Sequence, residues 1–274
     1  SCSPSMICTA VWICCTVTVV HRPIQWIKTK LYIGSDTSLD ESAHIWQYEA
    51  DGTFSRITDN LENQNFKSMN SILVDNGTLY VGVGDEYNAG NNRKGQVWSN
   101  NSIKWVDTGL GASSVNLNNN YIRKVIKYND EIYAAGSRYE LVKLTASGWE
   151  TVITPRSPAK YPGRTDIVLS YVNTAHWTDM TTDGDSLFAS VLENEAYQAS
   201  TVAGAFTPSG LIKYDGSVMS QFAPPLSYGS GGNRFINKIH YHDGYLYAAT
   251  HNSLSGTEVW RSPVSGEAWT QINA

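Results

Sequence analysis

An all-β fold is predicted by three features of the 274-residue sequence: a five-fold repeat, abundant turn residues and a low charge density. Short strands that read Leu or Ile followed by an aromatic recur around Tyr32, Tyr80, Tyr133, Phe188 and Tyr247, spaced by 48, 53, 55 and 59 residues. Twenty-two glycines and many asparagines supply turns, because both accept backbone angles that other residues avoid. Charged residues make up 16% of the chain against 41% hydrophobic, and the 16 Tyr and 9 Trp suit pleated surfaces. That apolar share supports a core and excludes disorder as the global state. A period near 50 residues with several short strands in each unit signals a β-propeller, whose four-stranded blades surround a channel. Five units predict five antiparallel blades.

Each unit divides into four strands. The first gives 23–27, 30–35, 44–48 and 53–57, and the second 67–74, 78–82, 95–98 and 103–106. The third gives 122–128, 131–136, 139–144 and 149–154; the fourth, 177–182, 186–192, 210–214 and 217–222. The fifth gives 235–241, 245–250, 257–260 and 267–272, so the last blade contains its own fourth strand. Asn76-Gly77 and Asp243-Gly244 join first and second strands as two-residue hairpins, which need positive φ. Trp46, Trp98, Trp105, Trp149, Trp260 and Trp269 recur on third and fourth strands, where blade packing accounts for them.

The order of inner strand, Ile-Tyr-x-x-Gly second strand, aromatic third strand and Trp-bearing fourth strand resembles kelch-like propeller repeats over residues 21–274. The departure is at the kelch double glycine, which is approached only by Gly82-x-Gly84. The resemblance implies architecture and no functional residue, since propellers host many unrelated activities.

Residues 1–20 read differently from the propeller at 21–274. Cys2, Cys8, Cys14 and Cys15 all fall there, without the paired spacing of a zinc site. The apolar run 6–20 is shorter than the roughly 20 residues of a membrane helix and lacks the flanks of a signal peptide. Its content suits an additional strand on a sheet edge, because an unpaired apolar strand invites aggregation. The abrupt change of composition near residue 20 also fits a misframed start to the coding sequence.

Aligning the units on their aromatic anchors places Arg22, Asn70, Arg123, Thr178 and Asn237 at one repeat position near the start of the inner strand. Two residues later stand Ile24, Ile72, Val125, Met180 and Ile239, an apolar ring expected to pack between blades. The polar ring, with Asp179, Arg234 and His176 beside it, is expected to line the channel mouth under the long loop 193–209. Such a mouth offers planar donors and amides to an anionic or polyhydroxylated ligand. The competing expectation is that these residues only hydrate the channel and fix ring closure. Two arginines there would repel unless an acid offsets them, and Asp179 is the nearest.

Other chemistries find less support. Twenty Lys and Arg against 25 Asp and Glu leave a net charge of −5, which disfavours nucleic acid as a partner. No phosphate loop, zinc-protease helix or nucleophile elbow occurs, so no cofactor is implied. His240-x-His242 alternates along a strand and is read as structural, not as a metal site. Glycosidases use two carboxylates; the candidates Asp36, Asp85, Glu86, Asp179, Glu193 and Glu195 include only one, Asp179, on an inner strand. The leading expectation is an extracellular or cell-surface module that binds glycans or another small polar ligand. A glycosidase-like enzyme and a protein-interaction platform remain the alternatives.

Overall fold

The computed structural model describes residues 24–27, 30–35, 43–58, 68–84, 95–100, 105–108, 122–136, 141–153, 175–193, 210–223, 233–252, 256–266 and 268–273. Among them are twenty strands and no helix. The first sheet is β1 (Ile24–Ile27), β2 (Lys30–Gly34), β3 (Ile45–Tyr48) and β4 (Phe54–Arg56). The second is β5 (Ser68–Asp75), β6 (Thr78–Gly84), β7 (Gln96–Asn100) and β8 (Trp105–Asp107). The third is β9 (Ile122–Tyr128), β10 (Glu131–Gly136), β11 (Leu141–Thr145) and β12 (Gly148–Ile153). The fourth is β13 (Ala175–Thr182), β14 (Leu187–Glu193), β15 (Gly210–Tyr214) and β16 (Met219–Ala223). The fifth is β17 (Asn233–His242), β18 (Tyr245–Asn252), β19 (Val259–Pro263) and β20 (Thr270–Gln271).

Every sheet takes four consecutive strands, in chain order and antiparallel. The fold is an all-β propeller of five such blades. First strands lie side by side toward the axis: β1 against β5, β5 against β9, β9 against β13, and β13 against β17. The last blade keeps its own fourth strand, as predicted, but a shorter one. Only Thr270 and Gln271 pair, opposite Arg261 and Trp260, and beyond them Ile272 donates to the Val259 carbonyl at 2.9 Å.

Local chemistry accounts for the hairpins. Asn76 and Gly77 adopt φ of 47° and 82°, and Asp243 and Gly244 φ of 47° and 78°, the paired positive angles of a tight hairpin. The third blade turns without glycine, through Asn129 at 48° and Asp130 at 59°, two residue types that tolerate the left-handed region. In the fourth blade the Asp183 carboxylate accepts from Asp185 N–H at 3.0 Å and Ser186 N–H at 2.7 Å, closing the turn with a side chain.

Among the described residues the core lies between blades as four apolar clusters. Ile45, Met69, Ile72 and Val81 join blades one and two; Val97, Ile122, Val125 and Trp149 join two and three. Tyr128, Leu141, Trp177 and Met180 join three and four; Phe188, Leu211, Ile236 and Ile239 join four and five. The expected apolar ring is thus seen in Ile72, Val125, Met180 and Ile239, all buried. Blades two and three approach closely at Gly82, where a Cβ would lie 2.7 Å from Ile122 Cγ2 and 3.3 Å from Val125 Cγ2. Third-strand tryptophans repeat a local device. Trp98 donates to Gln96 Oε1 at 2.9 Å and Trp260 to Glu258 Oε2 at 3.1 Å, while Trp46 meets His44 edge to face. Trp149 reaches across blades to Thr108 Oγ1 at 3.0 Å.

Residues 1–20, with their cysteines and expected extra strand, lie outside the described residues, as does the loop 194–209. Among the described residues no helix is long and apolar enough to cross a membrane, and no cluster of three metal-ligating side chains occurs.

Candidate functional site

The polar repeat position has a backbone cause. In β5 the register with β6 slips between Met69 and Ser71, which leaves Asn70 as the extra residue of a β-bulge. The same slip leaves Arg123 in β9, Thr178 in β13 and Asn237 in β17 as bulge residues. A bulge sharpens strand twist and re-aims the side chain of its extra residue. β17 slips once more, between Asn233 and Phe235, so Arg234 also occupies a bulge. Arg22 lies outside the described residues, and so do Asp36, Asp85, Glu86 and Glu195. His176 pairs with Leu192, and Glu193 with Ala175, at the start of the β13 ladder.

Opposite each bulge stands a small residue at the end of the Ile-Tyr-x-x-Gly pattern. Gly82 pairs with Ser71, Ala135 with Lys124, Ser190 with Asp179 and Ala249 with Lys238. Ser190 Oγ and Thr178 Oγ1 are hydrogen-bonded, and Ser190 Oγ also accepts from Asp179 N–H at 3.2 Å. Thr178 Oγ1 further lies 2.8 Å from the Ile236 carbonyl of the next blade. Its hydroxyl therefore serves the boundary between blades four and five. Asn70 Nδ2 donates locally, to Ser68 Oγ at 3.2 Å.

The residue after each bulge forms a second, chemically sharper ring: Ser71, Lys124, Asp179 and Lys238. Ser71 Oγ accepts from Val125 N–H of the next blade at 2.8 Å. Asp179 repeats that contact one pair of blades on, its Oδ2 accepting from Ile239 N–H at 3.3 Å. Lysines at the other two positions turn toward this carboxylate. Lys124 Nζ lies 3.1 Å from Asp179 Oδ1, and Lys238 Nζ lies 3.8 Å from Oδ2. The Lys124 contact is ionic without the alignment of a directed hydrogen bond on Oδ1. Three adjacent inner strands, β9, β13 and β17, thus bring cation, anion and cation to one point.

Burial is uneven across the trio. The Asp179 side chain is 4% exposed and that of Lys124 31%, whereas Lys238 is 52% exposed. Yet Lys238 has enough protein around it that desolvation pushes its ammonium below the usual lysine value. Lys124 and Arg123 push the same way, and Asp179 opposes them. A side chain reachable by solvent and still surrounded by protein fits a position facing the axial channel. His240, two residues on, is likewise held below its ordinary value, by burial first and then by His242 and Lys124.

Asp179 pairs with Lys124 and Lys238; of the two arginines it is expected to offset, Arg22 lies outside the described residues. Neither lysine is evident from the polar ring itself. Both stand one residue beyond it, at the repeat position of Asp179, so the same alignment read one step further identifies them. The expected ring counts residues in the bulge, whereas the ion pairs form where the strand resumes its regular pleat.

No protein-family model matches the sequence, and no curated protein matches it. Solved structures do. A prolyl endopeptidase is 12% identical over 91% of this chain and 36% of that chain, with a TM-score of 0.50. The likeness is one of fold alone. This chain therefore spans well under two thirds of that protein's length. An exo-1,5-α-L-arabinanase from a bovine ruminal metagenomic library is 13% identical, over 92% of this chain and 98% of that one, with a TM-score of 0.47. An α-L-arabinofuranosidase from Clostridium thermocellum is 14% identical, over 88% of each chain, with a TM-score of 0.45.

Proposed function

We propose that the chain is a propeller binding module whose ligand is a glycan or a similar polyhydroxylated molecule held at the channel mouth. The observation that carries this reading is the convergence of Lys124, Asp179 and Lys238 directly beside the bulge positions Arg123, Thr178 and Asn237. Bulges on a ring of inner strands put amide- and guanidinium-bearing residues of several blades at one repeat level. A sugar presents many hydroxyls in a fixed array, and such donors match it better than an apolar pocket would. An extracellular or cell-surface location belongs to the same proposal.

Hydrolysis is less well supported. A glycosidase needs one carboxylate as acid and another as base or nucleophile. Among the side chains described at this level the carboxylate is Asp179, and it is engaged by two ammonium groups and a backbone N–H. One carboxylate cannot fill both roles. A glycan-array screen run beside a hydrolysis assay on chromogenic glycosides tests the reading. Binding without turnover is expected; turnover that disappears in Asp179→Asn would make the protein an enzyme.

A further inference from the structure

We propose that the apolar segment 6–20 folds back onto blade one and covers a face of that blade which no other blade covers. The face is found from the aromatic anchors. In blades two to five the residues on either side of the anchor face the preceding blade, because side chains alternate along a strand. Leu79 and Val81 are buried there, as are Ile132 and Ala134, Leu187 and Ala189, and Leu246 and Ala248. In blade one the same positions hold Leu31 and Ile33, and both are only half-buried.

Cross-strand neighbours enlarge the opening. Leu31 pairs with Tyr48, Tyr48 with Phe54, and Ile33 with Trp46, so these five side chains share one face of β2, β3 and β4. Trp46 and Tyr48 are half-buried, and Phe54 is 40% exposed. The Tyr48 and Phe54 rings lie 5.0 Å apart between centroids. A joined apolar patch of this kind marks an interaction surface.

Blade five does not match it. Among the described residues no apolar cluster joins blades five and one, and β17 is not packed on β1 as it is on β13. On the side of blade five away from blade four, Tyr247 pairs with Arg261. Arg261 is exposed and lies over the Tyr245 ring at 4.7 Å. Pressing that guanidinium against Leu31 and Ile33 would desolvate it among groups that cannot hydrogen-bond.

The segment 6–20 does match it. From Met6 to Val20 the sequence holds no charged side chain and is rich in Val, Ile and Thr, which pack well on pleated surfaces. The chain also delivers it to the right place. β1 begins at Ile24, opposite Ile33, at the end of the face where Trp46 lies. Four residues reach at most about 14 Å, so Val20 stays within that distance of Ile24. A tethered segment meets the face at an effective concentration on the order of millimolar, well above that of a separate partner. Residues 6–20 then belong to the fold and are no accident of the coding sequence.

The test is hydroxyl-radical footprinting of the full chain, read by mass spectrometry at Trp46, Tyr48 and Phe54. Trp98, the counterpart of Trp46 at the closed boundary between blades one and two, is the control. Trp12→Asp with Ile13→Asp charges both faces of an extended segment. Oxidation of the three reporters should rise severalfold in that variant while Trp98 stays unchanged. The variant alters no residue of the five blades, and circular dichroism verifies that the strands persist. Phe54→Asp, at an exposed position, is the reciprocal variant: Trp12 should react severalfold faster. If the double variant loses its strands, Phe54→Asp alone decides. Reactivities that neither variant changes would overturn the inference. Reporters fast throughout would leave the face open, and reporters losing protection only on dilution would assign it to a second copy of the chain. Protection at every concentration in both variants would assign it to blade five.

Discussion

The boundary between blades two and three and the boundary between blades four and five are built on the same contact with different atoms. In both, the residue after an inner-strand bulge accepts the N–H of the next blade's apolar-ring residue. At the first boundary this is the Ser71 hydroxyl with Val125; at the second it is the Asp179 carboxylate with Ile239. The neutral contact ends there. The hydroxyl also lies 3.4 Å from the Val125 carbonyl, so both of its roles are spent within the boundary. The charged contact cannot end there, because a carboxylate 4% exposed demands counter-charge. Lys124 and Lys238 supply it, from the blades on either side. One substitution in a repeat thus turns a structural latch into a polar centre shared by three blades.

Removing the charged latch should have the largest effect. Asp179→Ala leaves Ile239 N–H without its acceptor and two lysines without their counter-ion, and should lower stability by about 3–5 kcal/mol in urea denaturation. The neutral latch should matter less. Ser71→Ala strands only the buried Val125 N–H, a loss of about 1–3 kcal/mol in the same measurement. Equal losses for the two variants would show that the charge at Asp179 adds nothing to blade cohesion. Lys238→Met should be smaller still, about 0–1 kcal/mol, since its 3.8 Å pair is half open to solvent. A loss as large as that of Asp179→Ala would place Lys238 in the structure and not in a site.

The smallest expected effect is on pH dependence. Burial, His242 and Lys124 hold His240 below its ordinary value, while Asp179 pulls the other way. The unfolded chain takes up this proton near pH 6.5, and the folded chain resists it. His240 therefore contributes a loss of stability as pH falls through about 6.5. His240→Gln should flatten the fall between pH 7.5 and 5, and an unchanged slope would assign the acid sensitivity to other groups.

Much of this fold is legible in the sequence because its signals are local. The Asn-Gly and Asp-Gly hairpins demand positive φ wherever they occur, and the structure shows that φ at Asn76, Gly77, Asp243 and Gly244. The Leu/Ile-aromatic strands and their apolar neighbours declare the blade count and the buried layer of Ile72, Val125, Met180 and Ile239 without reference to distant residues. The shared position of Asn70, Arg123, Thr178 and Asn237 is legible too, as spacing from the aromatic anchors.

What the repeat could not decide is the use made of each position, since that depends on which blade lies next to which. Spacing gives no sign that the four described members of the polar ring are bulges, because a bulge exists only between two paired strands. Nor does it tell that the Thr178 hydroxyl reaches Ile236 of the following blade, or that Lys124 and Lys238 close on one carboxylate. Those three charged residues are separated by 55 and 59 positions along the chain. Ring packing alone brings them within 4 Å. Periodicity records what each blade must bury on its own account, whereas charge pairing is settled between blades, and only the tertiary structure fixes it.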